Sequence, residues 1–219
     1  MAELNSSITS PFVAKKYKFS PKLRIGVLAS GFGSNFEALV LAINNGYLSA
    51  VIPLIIINNH DSKAINKAEK YNIPYKIINH KDFSSRQDFD LKIIDEFNSV
   101  QIEGIVMAGW MRIATNTLIE KYPNRIINIH PSILPSFKGA DAIEQALKSG
   151  TKITGCTVHI VEKDVDSGPI IIQSAVAISS SDTYKSLKNK IQEREHHILP
   201  IGLSIVATKW RESTDRMAD

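Results

Sequence analysis

Between residues 23 and 130 short apolar runs alternate with segments of helical period, and few architectures accept that alternation. The runs are residues 23–29, 50–57, 75–78, 104–108 and 126–130, each short and apolar enough for a buried strand. Residues 36–44, 63–71, 84–98 and 116–122 fall between them with helical spacing, as in Phe36, Leu39, Val40 and Ile43. Ser84 and Gln87 have capping-box spacing at the start of the third helix. Strand–helix alternation predicts an α/β fold, a mostly parallel twisted sheet with helices on both faces. Residues 142–149 read as a helix stopped by Gly150. Residues 154–161 and 170–176 read as an antiparallel pair around the turn at 164–168. Residues 183–210 form a long helical stretch that Pro200 is expected to kink or divide. Residues 1–22 are polar and rich in Ser and Lys, so they are expected to be a flexible tail before a single domain, 23–219.

Composition narrows the classes of function. With 219 residues, 43% hydrophobic and 22% charged, the chain can bury a core. The net charge of +4 comes from scattered Lys and Arg, not the concentrated stripe of a nucleic-acid binder, so an anionic small molecule is the expected partner. Cys156 is the single cysteine, which precludes an intrachain disulfide. No run has the apolar length of a membrane span, and the N-terminus lacks the apolar middle of a signal peptide. The expectation is a cytoplasmic protein that binds neither membrane nor nucleic acid.

Three stretches can carry chemistry. Gly31-Phe32-Gly33-Ser34-Asn35 joins the first strand to its helix, where backbone N–H groups bind phosphate. It lacks the third glycine of a dinucleotide site and the Gly-Lys-Ser/Thr of a P-loop, which leaves a single phosphate or a capped tight turn. Asn128 and His130 are two apart at a strand end and face one side, with Pro131 and Pro135 stiffening the loop beyond them. An amide donor beside an imidazole suits acyl or formyl transfer, where an oxyanion forms and protons move. The turn at 164–169 offers Asp164 and Asp166, and spacing does not choose between them. A carboxylate folded over His130 would raise the imidazole pKa. His159, mid-strand, reads as a sheet histidine. His196 and His197 diverge on a helix, and no Cys/His cluster has metal-ligand spacing, so no metal is expected.

Taken together, Gly33-Ser34-Asn35, Met111-Arg112-Ile113, Asn128 to Pro135, and Asp166 to Pro169 resemble the folate-dependent formyltransferase superfamily. Within it they resemble the phosphoribosylglycinamide formyltransferases, over residues 23–203. The resemblance implies a Rossmann-like formyltransferase fold. It also implies formyl transfer from 10-formyltetrahydrofolate to the amine of glycinamide ribonucleotide in purine synthesis. Gly33, Ser34 and Asn35 would hold the phosphate. Asn128, His130 and Asp166 would be catalytic, which settles the choice of aspartate. Arg86, Met111, Arg112, Ile113, Ala114 and Asn128 would contact the folate. Glu162, Lys163, Asp164, Val165 and Asp166 would form its binding loop. Gln192, Glu193, Arg194 and Glu195 would hold the glycinamide end. The family often carries histidines after Gly139, where this chain has Asp141 and Ile143. A methionyl-tRNA formyltransferase would want a C-terminal domain and a basic surface. A formyltetrahydrofolate hydrolase would want an N-terminal regulatory domain, which about 22 residues do not supply. A non-catalytic phosphate-binding module would leave Asn128, His130 and Asp166 unexplained. The expected enzyme is a monomer or homodimer.

Overall fold

Leu23, Ile25, Val27, Leu28 and Ala29 are all buried, as a strand covered on both faces requires. They belong to a sheet that the computed structural model describes, together with its helices, over residues 8–12 and 17–218, with side chains as far as Glu212. The strands are β1 (Thr9–Ser10), β2 (Leu23–Ala29), β3 (Ala50–Ile57), β4 (Tyr75–Ile77), β5 (Gly104–Met107), β6 (Ile126–His130), β7 (Ile153–Ile160) and β8 (Ile170–Ala177). The helices are α1 (Ser34–Asn44), α2 (Ala64–Lys70), α3 (Arg86–Ser99), α4 (Asn116–Lys121), α5 (Ala142–Ser149) and α6 (Tyr184–Ala218).

Among the described residues the strand order is β1-β8-β7-β6-β5-β2-β3-β4. Strands β2 to β6 run parallel, and β7, β8 and β1 add antiparallel to them. Alternating side chains feed two cores. Phe36, Leu39 and Val40 of α1 join Leu187, Ile191 and Ile198 of α6 over Ile25 and Val27. Phe89, Ile93 and Phe97 of α3 join Leu118 of α4 over Leu28, Ile105 and Ile126. Each such side chain contributes roughly 1.5–3 kcal/mol when fully buried. Strand β2 pairs with β3 on one side and β5 on the other, so the strand order reverses there. Crevices that bind ligands open at the carboxyl ends of strands flanking such a reversal.

Three local expectations are corrected and one pairing is added. Thr9 and Ser10 pair with Ser174 and Gln173, so the sheet reaches into the segment read as a tail; residues 1–7 and 13–16 lie outside the described residues. The α3 cap is Ser85, whose hydroxyl accepts from the Asp88 N–H, one residue beyond the Ser84–Gln87 spacing. Strand β7 pairs antiparallel with β6 as well as with β8. Helix α6 continues through Pro200 without division. The helix is flanked there by fully buried Ile198, Leu199 and Leu203, and that packing outweighs one lost backbone hydrogen bond.

Candidate active site

The reversal crevice holds a cavity of about 600 Å³. Its lining includes the turn after β2, the loop after β5, the end of β6, the turn after β7 and one face of α6. The turn after β2 is fixed by packing. Gly33 is the α1 N-cap at φ 67°, and a Cβ there would lie 2.8 Å from the Ala64 Cβ. Only glycine combines that conformation with that close approach. No side chain caps α1, so the helix N-terminus keeps its donors for a ligand. The Asn35 amide donates to Glu195 Oε2 at 3.0 Å. Glu195 is 6% exposed, and burial pushes its carboxyl up to about 7 against the pull of Asn35 and Lys188.

The loop after β5 is held from both ends. Ser30 Oγ accepts from the Met111 N–H at 2.9 Å. Asp90 accepts from both the backbone N–H and the hydroxyl of Thr115, each at 2.7 Å. Trp110 stacks on Phe89 at 5.9 Å between centroids. Between these anchors Met111 and Ile113 stay exposed at the cavity rim, 77% and 54%, with Val165 opposite in the lining at 44%. An exposed apolar rim of this kind suits a flat aromatic or heterocyclic ligand.

The polar centre lies where β6 and β7 run side by side. Asn128 pairs in register with His159, and His130 with Thr157. Asp166 reaches back from its turn between both histidines. Its Oδ2 lies 3.2 Å from His130 Nδ1 and its Oδ1 lies 3.3 Å from His159 Nε2. The Gly139 N–H donates to Oδ2 at 2.9 Å. Asp166 itself sits at φ 50°, a left-handed conformation that Asp tolerates better than most residues. Gly168 lets the turn close, since a Cβ there would lie 2.1 Å from the Ile160 carbonyl oxygen.

Proton positions follow from the partners. A carbonyl only accepts, so His130 Nε2–H donates to Phe137 O at 2.8 Å and His159 Nδ1–H donates to Ile160 O at 2.8 Å. The other nitrogen of each ring faces Asp166, and a hydrogen bond to that carboxylate requires a proton on it. His159 Nε2 also lies 3.3 Å from Asn128 Nδ2. Burial pulls the His130 imidazole below the usual histidine value, and His159 adds to that pull. Phe137 O and Asp166 push upward, the direction expected of the carboxylate, without overcoming burial. Burial pushes Asp166 up, but hydrogen bonds from His159 and Gly139 and the nearby histidine charges hold its carboxyl below the usual range.

The structure sorts the expected residues. Gly33, Ser34, Asn35, Met111, Arg112, Ile113, Ala114, Asn128, His130, Glu162, Val165, Asp166, Gln192 and Glu195 line the cavity. Arg86, Lys163, Asp164, Glu193 and Arg194 are not in its lining; Arg86 is exposed at the first turn of α3. Glu195 binds Asn35 in the turn after β2, so it lies at that end of the cavity rather than in the His130–Asp166 cluster. His159, read as a sheet histidine, is both 2% exposed in the sheet and part of the cluster. The signal for it was register: antiparallel β7 places His159 opposite Asn128. Asp141 and Ile143 also line the cavity. Among the described residues no three His, Cys, Asp or Glu side chains are grouped to hold a metal ion. No described helix is long and apolar enough to cross a membrane.

Comparison with known proteins adds an independent line. The family model described as formyl transferase matches residues 23–203. Phosphoribosylglycinamide formyltransferase of Bacillus subtilis is 38% identical over 177 residues, 81% of this chain and 91% of that protein. The human trifunctional purine biosynthetic protein adenosine-3 is 41% identical over 204 residues, 93% of this chain. The chain spans about a fifth of that trifunctional protein's length. The crystal structure of glycinamide ribonucleotide transformylase 1 from Symbiobacterium toebii superposes with a TM-score of 0.84 at 34% identity, over 86% of this chain and 89% of that one.

Proposed function

The chain belongs to the formyl transferase family, and we propose that it moves the formyl group of 10-formyltetrahydrofolate onto the amine of glycinamide ribonucleotide. The products are formylglycinamide ribonucleotide and tetrahydrofolate, in purine biosynthesis. The observation that carries this reading is the joining of three arms in one cavity: a phosphate turn, an apolar rim and an amide–imidazole–carboxylate cluster. The likeness to the Bacillus subtilis enzyme over most of both chains supports the choice of acceptor.

The residues divide the work. Gly33, Ser34 and Asn35 hold the ribonucleotide phosphate at the α1 N-terminus. Met111, Arg112, Ile113, Ala114 and the 162–166 turn hold the folate. Nucleophilic attack by the amine on the formyl carbon turns its oxygen into an oxyanion, and breaking the carbon–nitrogen bond to the folate restores the carbonyl. Asn128 donates to that oxygen; its amide nitrogen lies 3.3 Å from His159 Nε2. His130 lies between Phe137 O and Asp166, and growing negative charge beside the ring favours its protonated form. Asp166 touches His130 directly and passes the proton of the amine toward the leaving folate nitrogen, by way of water. Gln192 and Glu195, on one face of α6, hold the ribonucleotide near its phosphate end. Arg86, outside the lining, meets only the exposed tail of the folate. We read the enzyme as cytoplasmic and acting on these two small molecules, as a monomer or homodimer.

A steady-state assay with 10-formyltetrahydrofolate, offering glycinamide ribonucleotide or water as acceptor, tests the proposal. The expected result is tetrahydrofolate release that depends on the ribonucleotide. Release at the same rate with water alone would make the protein a hydrolase, and no release in either case would leave only a binding module.

A further inference from the structure

The phosphate turn supplies backbone donors but no cation of its own, and a phosphate dianion needs charge as well as hydrogen bonds. The lysine and arginine side chains in the cavity lining are Arg112 and Lys188. Arg112 follows β5, in the opposite arm of the crevice. Lys188 is on α6, where Tyr184, Lys188, Ile191, Gln192 and Glu195 recur at the spacing of one helix face and all enter the lining. Its field reaches Glu195, whose other neighbour is Asn35 in the turn. Lys188 is therefore the lining cation at the phosphate end.

Its resting partners are aromatic. Lys188 Nζ lies 5.9 Å from the ring centroid of Phe32 and 5.9 Å from that of Tyr184. Phe32 is 63% exposed, and Lys63 Nζ lies over the same ring at 4.8 Å. A large apolar ring standing out of that turn with two lysines near it is not explained by core packing. Contact with an exposed ring is weaker than a charge-assisted hydrogen bond to phosphate. An arriving dianion would win the ammonium group from it.

We propose that Lys188 neutralises the substrate phosphate seated at Gly33–Asn35, and that Phe32 and Tyr184 hold its side chain beside that turn. This rests on the ribonucleotide reading above and adds a residue that sets affinity for the phosphate. Losing one charged hydrogen bond weakens binding about 10- to 100-fold. Lys188→Gln is expected to raise the KM for glycinamide ribonucleotide at least about tenfold, with kcat within about threefold. The salt dependence of that KM should flatten, because an ion contact is gone. Lys188→Arg should restore most of the affinity, which a merely structural role would not allow.

Calorimetric titration with ribose 5-phosphate reads the same contact without the reaction. Weakening by at least about tenfold in Lys188→Gln supports the inference even if glycinamide ribonucleotide proves not to be the acceptor. A KM and a ribose 5-phosphate affinity both within about twofold of wild type would overturn it, as would Lys188→Arg failing as fully as Lys188→Gln. Wild-type protein that binds ribose 5-phosphate but transfers no formyl group refutes the proposed activity and leaves Lys188 to be decided by the titration.

Discussion

Glu195 ties the stability of the fold to pH. It is 6% exposed, receives one hydrogen bond from Asn35, and its carboxyl is pushed from 4.5 up to about 7 by burial. A raised folded-state value means that folding favours the protonated acid. The contribution is intact below about pH 4.5, falls as pH rises, and levels off above about pH 7. At about 1.4 kcal/mol per unit, the full loss is on the order of 3 kcal/mol. Glu195→Gln keeps the shape and the acceptor for Asn35 but never ionises. The gap in stability between the variant and wild type should therefore widen by about 2 kcal/mol between roughly pH 5.5 and pH 8. With a urea m-value of about 2–3 kcal/mol/M, that is a shift between midpoints of roughly 0.7–1 M. Urea melts of both proteins at the two pH values check the argument. A gap that does not change with pH would refute it.

The same geometry sets three further outcomes. Asp166→Asn removes the charge that pushes His130 upward, so the His130 titration midpoint should fall further below the usual histidine value in an imidazole NMR titration; a rise would contradict the contact. Asp90→Asn loosens the Thr115 anchor of the loop bearing Met111 to Ala114, so the KM for the folate donor should rise by more than about threefold while the ribonucleotide KM stays put, measured by varying each substrate in turn. Gly168→Ala drives a methyl group into the Ile160 carbonyl, so thermal melting should show a loss of about 2 kcal/mol or more and activity should fall with the displaced Asp166 turn.

Much of the fold was legible because burial on both faces writes β2, β3 and β5 as continuous apolar runs. Asn128 and His130 were legible as a pair because strand parity is a local property. Non-local pairing was harder to read. Nothing near His159 in sequence says that β7 lies antiparallel to β6, and that register is what brings His159 to Asn128 and Asp166. The two-residue β1 is too short to show a period, so its pairing with β8 stayed hidden in a polar segment. The sign of the His130 shift depended on how deeply the ring is buried, at 5% exposure, and sequence does not report depth. Helix α6 shows the same limit: Pro200 is a local signal to stop, overruled by apolar neighbours packed on the sheet.

The proposed mechanism rests on Asn128, set among His159, His130 and Asp166, stabilising the oxyanion of formyl transfer. Its most direct test is the turnover of Asn128→Ala at saturating 10-formyltetrahydrofolate and glycinamide ribonucleotide, with circular dichroism confirming the fold. Removal of one oxyanion donor predicts a kcat lower by about 100- to 1000-fold with little change in either KM. A kcat within about threefold of wild type would contradict the claim.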